Sequence, residues 1–316
     1  MEVNLTSDTS SDAYGWVGLR DCLLLSAKLM LMEHLGGAIA SLFFPIEEIP
    51  LQQSKDGLQV QYLSPIALKV ANIQQKSPMD IAIAIADYCQ EESTNQSCLN
   101  REYFTVEVVP PGIILFKLTA LGVANWLQTF PSLIKQKMTK GEREITSLCI
   151  DSDRYFPIQY SHARCCSILK LADRDRIIEL ADRDRPHSSP DWQIITPNPI
   201  PWLDDRNHLR LFHLAELSLI SQLFTTLDNL SPLFQENLGE LMGHLIIGDR
   251  AANWSKLAKA LSDAFQTFYS QCRIWGEVQK ETPKLAQARL GLVIGTQVLL
   301  QFILQELLGV FAPLEL

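Results

Sequence analysis

The hydrophobic pattern of this chain changes near residue 145, and that change restricts the fold more than any other sequence feature. Before it, residues 104–109 and 112–118 contain period-2 stretches on either side of Pro110-Pro111, which indicates two paired strands. After it, nearly every apolar segment outside one proline-rich stretch has a helical period. No series of strand–helix–strand units is present. The pattern predicts an α+β fold, with a small antiparallel sheet and helices first and an all-α bundle second.

Further elements of the first half follow from local signals. Ser77-Pro78 is typical of an N-cap followed by proline in the first helical position. We expect helices at 19–43, from Pro65, at 81–90 and at 120–130, and another strand at 59–63.

The last helix of the second half contains an apolar run long enough to cross a membrane. Residues 290–311 carry one charge, Glu306. Gln297, Gln301 and Gln305 are spaced four residues apart and form a polar stripe on one helical face. We therefore expect a buried core helix with one wet edge rather than a membrane anchor. The other helices of this half are expected at 159–171, 209–227, 233–247 and 254–276.

Charge and cysteine content narrow the possible partners. The formal net charge is −9, which argues against tight nonspecific binding of DNA or RNA, because such binding depends on basic side chains that displace counterions. The seven cysteines include no C-x-x-C pair and no metal-ligand spacing. We predict mostly buried thiols, no metal and a reducing, cytoplasmic location. The polar tail at 1–14 does not have the pattern of a signal peptide.

A charged sequence is duplicated after the first helix of the second half. Leu171–Arg176 recurs as Leu180–Arg185, nine residues later. One interpretation is a solvated face or a duplicated loop, and the other is a phosphate-binding patch of four arginines. An aspartate stands beside every arginine, which favours the first interpretation. With Pro186–Pro201, which holds five prolines and predicts an extended connector, the repeat forms a charged, proline-rich insertion at 173–207.

The segment Gln159–Leu169 resembles the first helix of the DALR anticodon-binding domain of arginyl-tRNA synthetases. Later segments resemble further motifs of the same domain and occur in the same order: Phe268-Tyr269 with Arg273, Arg289–Leu292 and Leu307–Pro313. In the first half, Ser64–Ala71, Lys76–Pro78 and Pro111–Leu118 resemble the additional N-terminal domain of the same synthetases. The resemblance implies an N-terminal-like domain at 15–135, a linker at 136–150 and a DALR-like domain at 151–316.

The nucleotide-binding domain that separates these two domains in the synthetases has no counterpart between them here. His34–Gly37 and Lys137–Gly141 imitate the HIGH and KMSKS motifs, but the first lies in an amphipathic helix rather than after the N-terminal domain, and the second could be a remnant of the loop. The resemblance therefore implies a protein without catalytic residues or cofactor, rather than an enzyme.

The resemblance also implies candidate tRNA contacts, which are Tyr160, His162, Arg164, Tyr269, Arg273, Arg289 and Lys117. Aromatic rings can stack on bases, and cations can pair with phosphates. For Tyr160, His162 and Arg164 the alternative is that they pack and cap the first helix within the bundle.

Two departures from the family pattern weaken the expectation of tRNA binding. Leu115 replaces an asparagine of the N-terminal domain, and Glu315 replaces an arginine near the chain end. The leading hypothesis is a scaffold or adaptor for an unidentified protein partner. The alternative is a tRNA(Arg)-binding protein that acts in aminoacylation in trans, or in tRNA delivery or sequestration. An active synthetase would need a catalytic domain from a separate chain.

Overall fold

The structure is a computed structural model that describes residues 25–44, 46, 48–54, 59–91, 101–138, 152–181, 193–235 and 249–316. The predicted polar tail, nearly all of the linker, most of the expected helix at 233–247 and the end of the KMSKS-like sequence lie outside the described residues.

A four-stranded antiparallel sheet organises the first half, and its strands have the order β1-β2-β4-β3. The strands are β1 (Gln52–Gln53), β2 (Gln61–Ser64), β3 (Phe104–Val109) and β4 (Ile113–Leu118). Alternate side chains of β3 and β4, such as Phe104 and Phe116, are buried on one face. The period-2 stretches thus predicted both strands, and the alternation reflects one buried face.

Four helices complete the first half: α1 (Ala27–Leu42), α2 (Ile66–Gln74), α3 (Pro78–Glu91) and α4 (Ala120–Lys137). The start of α3 at Pro78 is confirmed. The helix α4 continues past its expected end, because Phe130 and Ile134 extend its buried face through Pro131. Helices α2, α3 and α4 contact β4, and α1 packs on α3.

The second half contains four long helices: α5 (Ser152–Arg174), α6 (Leu214–Leu230), α7 (Asp249–Gln271) and α8 (Pro283–Phe302). Helix α5 packs on α7 and α8, and α6 also packs on both. The helix α6 begins later than its expected start at 209. A capping box fixes that start, because the Glu216 carboxylate accepts the His213 N–H while the His213 ring accepts the N–H of Ala215. The predicted α+β fold is confirmed.

The insertion adds a short ribbon that the sequence pattern did not indicate. Its strands are β5 (Glu179–Leu180) and β6 (Ile194–Thr196). Asp173 of the first repeat copy accepts the N–H of Leu180, and Asp175 accepts the indole N–H of Trp275 at 2.9 Å. Both aspartates of the first copy thus stabilise the local fold. The charged part of the second copy lies outside the described residues.

Helix α8 is the central helix of the second half. With the π-helical turn Ile303–Leu307 that follows, it is long and apolar enough to cross a membrane, yet 83% of its most apolar window is buried inside the protein. The buried core helix is therefore confirmed. The wet edge is shorter than expected, because Gln297 is fully buried whereas Gln301 and Gln305 are half-buried.

The two halves pack directly on each other and share one hydrophobic core. The rings of Trp126 on α4 and Phe224 on α6 lie 6.1 Å apart. The Gln53 side chain on β1 donates to the Ser221 carbonyl and accepts from the Thr225 hydroxyl at 2.7 Å, both on α6. The sheet edge and α6 therefore form one interface.

Asp228 on α6 is the charged centre of this interface. Its carboxylate accepts the Ser26 hydroxyl at 2.8 Å, the Tyr62 hydroxyl at 2.7 Å and the Lys28 N–H at 3.2 Å. Desolvation of the carboxylate nevertheless raises its pKa to about 6. Three donors from the first half thus converge on one carboxylate of the second.

We expect the stabilising contribution of Asp228 to fall as pH rises from 4 to 7. The folded-state pKa is above the unfolded one, so the folded protein binds this proton more tightly, and that advantage disappears as pH rises through about 6. Urea unfolding of the wild type and Asp228→Asn measures the effect, since the variant lacks this titration. The stability of the wild type relative to the variant should fall by about 2 kcal/mol over that range.

The comparison with the variant is necessary because His162 acts in the opposite direction. The pKa of His162 is lowered to about 4 in the folded protein. The stability that the neutral ring contributes is therefore lost as pH falls below the ordinary pKa of histidine. Because His162 is present in both proteins, its contribution cancels in the difference. A pH-independent difference would contradict the assignment to Asp228.

Candidate nucleic-acid interface

Helix α5 presents an exposed stripe of three side chains spaced four residues apart: Phe156, Tyr160 and Arg164. Residues at this spacing lie on the same helical face. Phe156 is 53% exposed and Tyr160 43% exposed, and their ring centroids are 6.3 Å apart. The stripe offers two aromatic rings and a cation to the solvent.

Arg164 joins this stripe to helix α7. Its guanidinium donates to the Tyr269 hydroxyl at 3.1 Å, and Cζ lies 4.9 Å from the centre of the Tyr269 ring. The ring of Phe265 stacks on the Tyr269 ring at a centroid distance of 6.2 Å. This cation–π arrangement holds the guanidinium in place while Arg164 remains exposed.

His162 faces the interior, and its two ring nitrogens have different partners. Nδ1 lies 2.8 Å from the Pro313 carbonyl oxygen, so this nitrogen carries the proton. Nε2 then accepts the amide N–H of Gln297 at 3.0 Å, and that amide also donates to Gln301 at 2.9 Å. Burial keeps the ring neutral by lowering its pKa to about 4. The ring therefore fixes the chain end against α5 and α8.

Arg289 on α8 is also buried, at 8% exposed, beside Glu216 at 1%. Its Nε lies 2.6 Å from the Glu216 carboxylate, and its Nη1 donates to the backbone carbonyl of Arg273. The Arg273 side chain is exposed. Arg289 thus acts on the backbone that carries Arg273 and presents little surface itself.

Lys117 lies on β4, and its ammonium group is 2.6 Å from the Glu107 carboxylate of β3. The described contacts therefore bring together Tyr160, Arg164 and Tyr269 through α5 and α7, and connect Arg273 with Arg289. They do not connect Lys117 with either group.

Sequence reasoning missed other residues at this face. Phe156 stands four residues before Tyr160, so helical spacing could have identified it. Phe311 is 57% exposed, and its carbonyl accepts the side-chain N–H of Gln159 at 2.8 Å. That contact joins residues 152 positions apart, and no local pattern indicates it.

The end of the chain also changes the charge of this face. Glu315 lies 2.7 Å from the Lys170 ammonium group on α5, and this contact lowers the pKa of Glu315. The Glu315 carboxylate therefore offsets a cation of α5.

Four cysteines fall among the described residues: Cys89, Cys165, Cys166 and Cys272. All four are free and buried, as predicted. Among the side chains that the structure describes, no group of three or more His, Cys, Asp or Glu could hold a metal ion.

Comparison with known proteins agrees with the resemblance. Over 156 residues, 49% of this chain, the sequence is 29% identical to an arginine–tRNA ligase of Synechococcus sp. (strain JA-3-3Ab). Over 163 residues, 52% of the chain, it is 32% identical to an arginine–tRNA ligase of Moorella thermoacetica. This chain is arginyl-tRNA synthetase-like.

The similarity of this synthetase-like chain covers only part of each relative. The aligned regions amount to 21% and 22% of the two ligases, so the chain spans about a fifth of the length of the curated relatives that it matches. No family model and no solved structure matches the chain.

Proposed function

We propose that this protein is a tRNA-binding protein, cytoplasmic and without aminoacylation activity of its own. The observation that carries the proposal is the similarity to two arginine–tRNA ligases over about half of the chain. Only residues 138–151 connect α4 with α5, and a nucleotide-binding domain needs many more residues than that.

The exposed stripe of α5 supports binding of a single-stranded segment. Aromatic side chains stack on unpaired bases, and an arginine held against a ring can pair with a phosphate. Phe156, Tyr160 and Arg164 supply these groups on one face, with Tyr269 behind the arginine. The formal net charge of the chain is −9, so we expect binding that depends on stacking as well as on charge.

The remaining candidates fit the proposal in other ways. His162 and Arg289 are buried and would act by holding the chain end and the Arg273 backbone in place. Lys117 would need to exchange its Glu107 partner for a phosphate, which is possible because the pair is partly exposed.

We expect Arg164→Gln and Tyr160→Ala each to weaken binding of arginine tRNA about 10-fold. The first removes a phosphate partner and the second a stacking surface, each of which contributes about 1–3 kcal/mol. Fluorescence anisotropy with labelled tRNA, repeated over a salt series, measures both effects. Arg164→Gln should also lower the slope of the salt dependence by about one charge.

Arg206→Gln is the matched control, since Arg206 is an exposed arginine on a loop outside this face. It should leave the affinity within about twofold of the wild type. Loss of affinity in all three variants, or in none, would contradict the proposed face. ATP–pyrophosphate exchange with arginine tests the second part of the proposal, and measurable exchange by the purified chain would refute it.

A scaffold that binds a protein partner is the second candidate. The pair formed by Glu315 and Lys170 favours it, because this pair removes a cation that would attract phosphates. The same aromatic side chains of Phe156, Tyr160 and Phe311 would then contact the partner. Absence of tRNA binding at low salt would favour this function over the first.

A further inference from the structure

A cleft of about 470 Å³ lies between the loop before α6 and the first turn of α8. Its apolar wall consists of Leu209, Phe212, Pro283 and Leu285. Its volume falls within the range of small-molecule sites. Phe212 is 76% exposed at its edge, so a bound molecule would cover apolar surface that now faces water.

Arg210 lines this cleft with an incomplete set of hydrogen bonds. Its Nε is buried and has no hydrogen-bond partner within the described chain. A terminal nitrogen, Nη2, lies 3.8 Å from Asp205, whose side chain is 95% exposed and therefore a weak partner. Arg210 is thus a cation without a strong partner, and an incoming anion can replace Asp205 at Nη2.

The loop that carries Arg210 is held rigidly. The Arg210 N–H donates to the Trp202 carbonyl, and Leu203 and Leu209 form an antiparallel bridge. The Asp204 carboxylate accepts the backbone N–H groups of Arg206 and His208, each at 2.8 Å. The backbone position of Arg210 is therefore set before any ligand arrives.

The charges around the cleft favour an acceptor with a single negative charge. Lys284 adds a second cation, in the first turn of α8, where the helix dipole is positive. Asp204 and Glu281 are the anions of the lining. Asp204 is engaged by its own loop and Glu281 is exposed, but together they would repel a second negative charge on the ligand.

We infer that this cleft binds a small organic carboxylate with an apolar body. The ligand carboxylate pairs with Nη2 of Arg210, displacing Asp205, and the apolar body lies against Phe212 and Leu285. A carboxylate carries the single negative charge that this lining favours, whereas a strongly hydrated dianion suits neither the apolar wall nor the nearby acidic side chains. The inference is independent of tRNA binding.

Isothermal titration calorimetry of the full chain with octanoate tests the site. Octanoate should bind saturably at one site per chain, and octylammonium and inorganic phosphate at least 10-fold more weakly. Arg210→Met should weaken octanoate binding at least 10-fold, because it removes the guanidinium and keeps the apolar stem. Arg206→Gln, on the same loop but outside the lining, should change it less than twofold.

Phe212→Asp gives a second measurement if Arg210→Met unfolds. The Phe212 side chain is mostly exposed, so this variant should fold, and its added carboxylate should abolish octanoate binding. Equal binding of octanoate and octylammonium, unchanged binding in both variants, or no saturable binding of octanoate would each overturn the inference.

Discussion

Replacing Arg289 by methionine is expected to lower the free energy of unfolding by about 3–5 kcal/mol, because it leaves a buried carboxylate without its cation. Glu216 is 1% exposed and has the guanidinium Nε 2.6 Å away. The Nη1 bond to the Arg273 carbonyl disappears as well. Guanidinium chloride unfolding with two-state analysis measures the loss.

Two further variants separate the buried pair from a general effect of removing a cation. Lys259→Met removes the cation of an exposed pair whose partner, Asp263, lies at 2.7 Å, and it should cost less than about 0.5 kcal/mol. Glu216→Gln combined with Arg289→Met should recover much of the loss, because the amide is neutral and can still accept the His213 N–H. A loss below 1 kcal/mol in Arg289→Met would rule out the proposed role of the pair.

Replacing Gly291 by alanine is expected to destabilise the protein by about 2 kcal/mol, although alanine favours helices. A Cβ atom at this position of α8 would lie 2.3 Å from Cη2 of Trp202 and 3.1 Å from Cδ1 of Ile200. The indole cannot move freely, because it is buried and its Nε1 donates to Gln128 at 3.0 Å. Thermal and urea unfolding measure the change.

Gly37 provides a control of opposite sign. It also lies inside a helix, α1, but an added Cβ would meet nothing within 4 Å. Gly37→Ala should therefore stabilise the protein by about 0.5–1 kcal/mol through helix propensity alone. If Gly291→Ala were stabilising too, the close packing of Trp202 on α8 would be wrong.

Local sequence signals predicted much of the fold because they arise from short-range constraints. The period-2 stretches identified β3 and β4, since a strand with one buried face must alternate. Ser77-Pro78 predicted the start of α3 for a similarly local reason. The start of α6 was missed because its capping box uses a histidine, His213, which is outside the usual set of capping residues.

The candidate site was less predictable, because its geometry depends on partners that are distant in the sequence. Arg164 and Tyr269 are 105 positions apart, and the family resemblance named both without indicating that they touch. The resemblance likewise could not distinguish Arg164, which is exposed, from Arg289, whose partner Glu216 lies 73 positions away. The burial of His162 also follows from a distant contact, with Pro313.

The contact centred on Asp228 has a consequence for how the chain unfolds. The sequence pattern and the family resemblance divide the chain into two domains, but separating them would leave the Tyr62 and Ser26 hydroxyls without this acceptor and expose Trp126 and Phe224 to water. Each loss is unfavourable for either half alone. We therefore expect the two halves to unfold as one cooperative unit, and a fragment that carries either one would begin with an open apolar face.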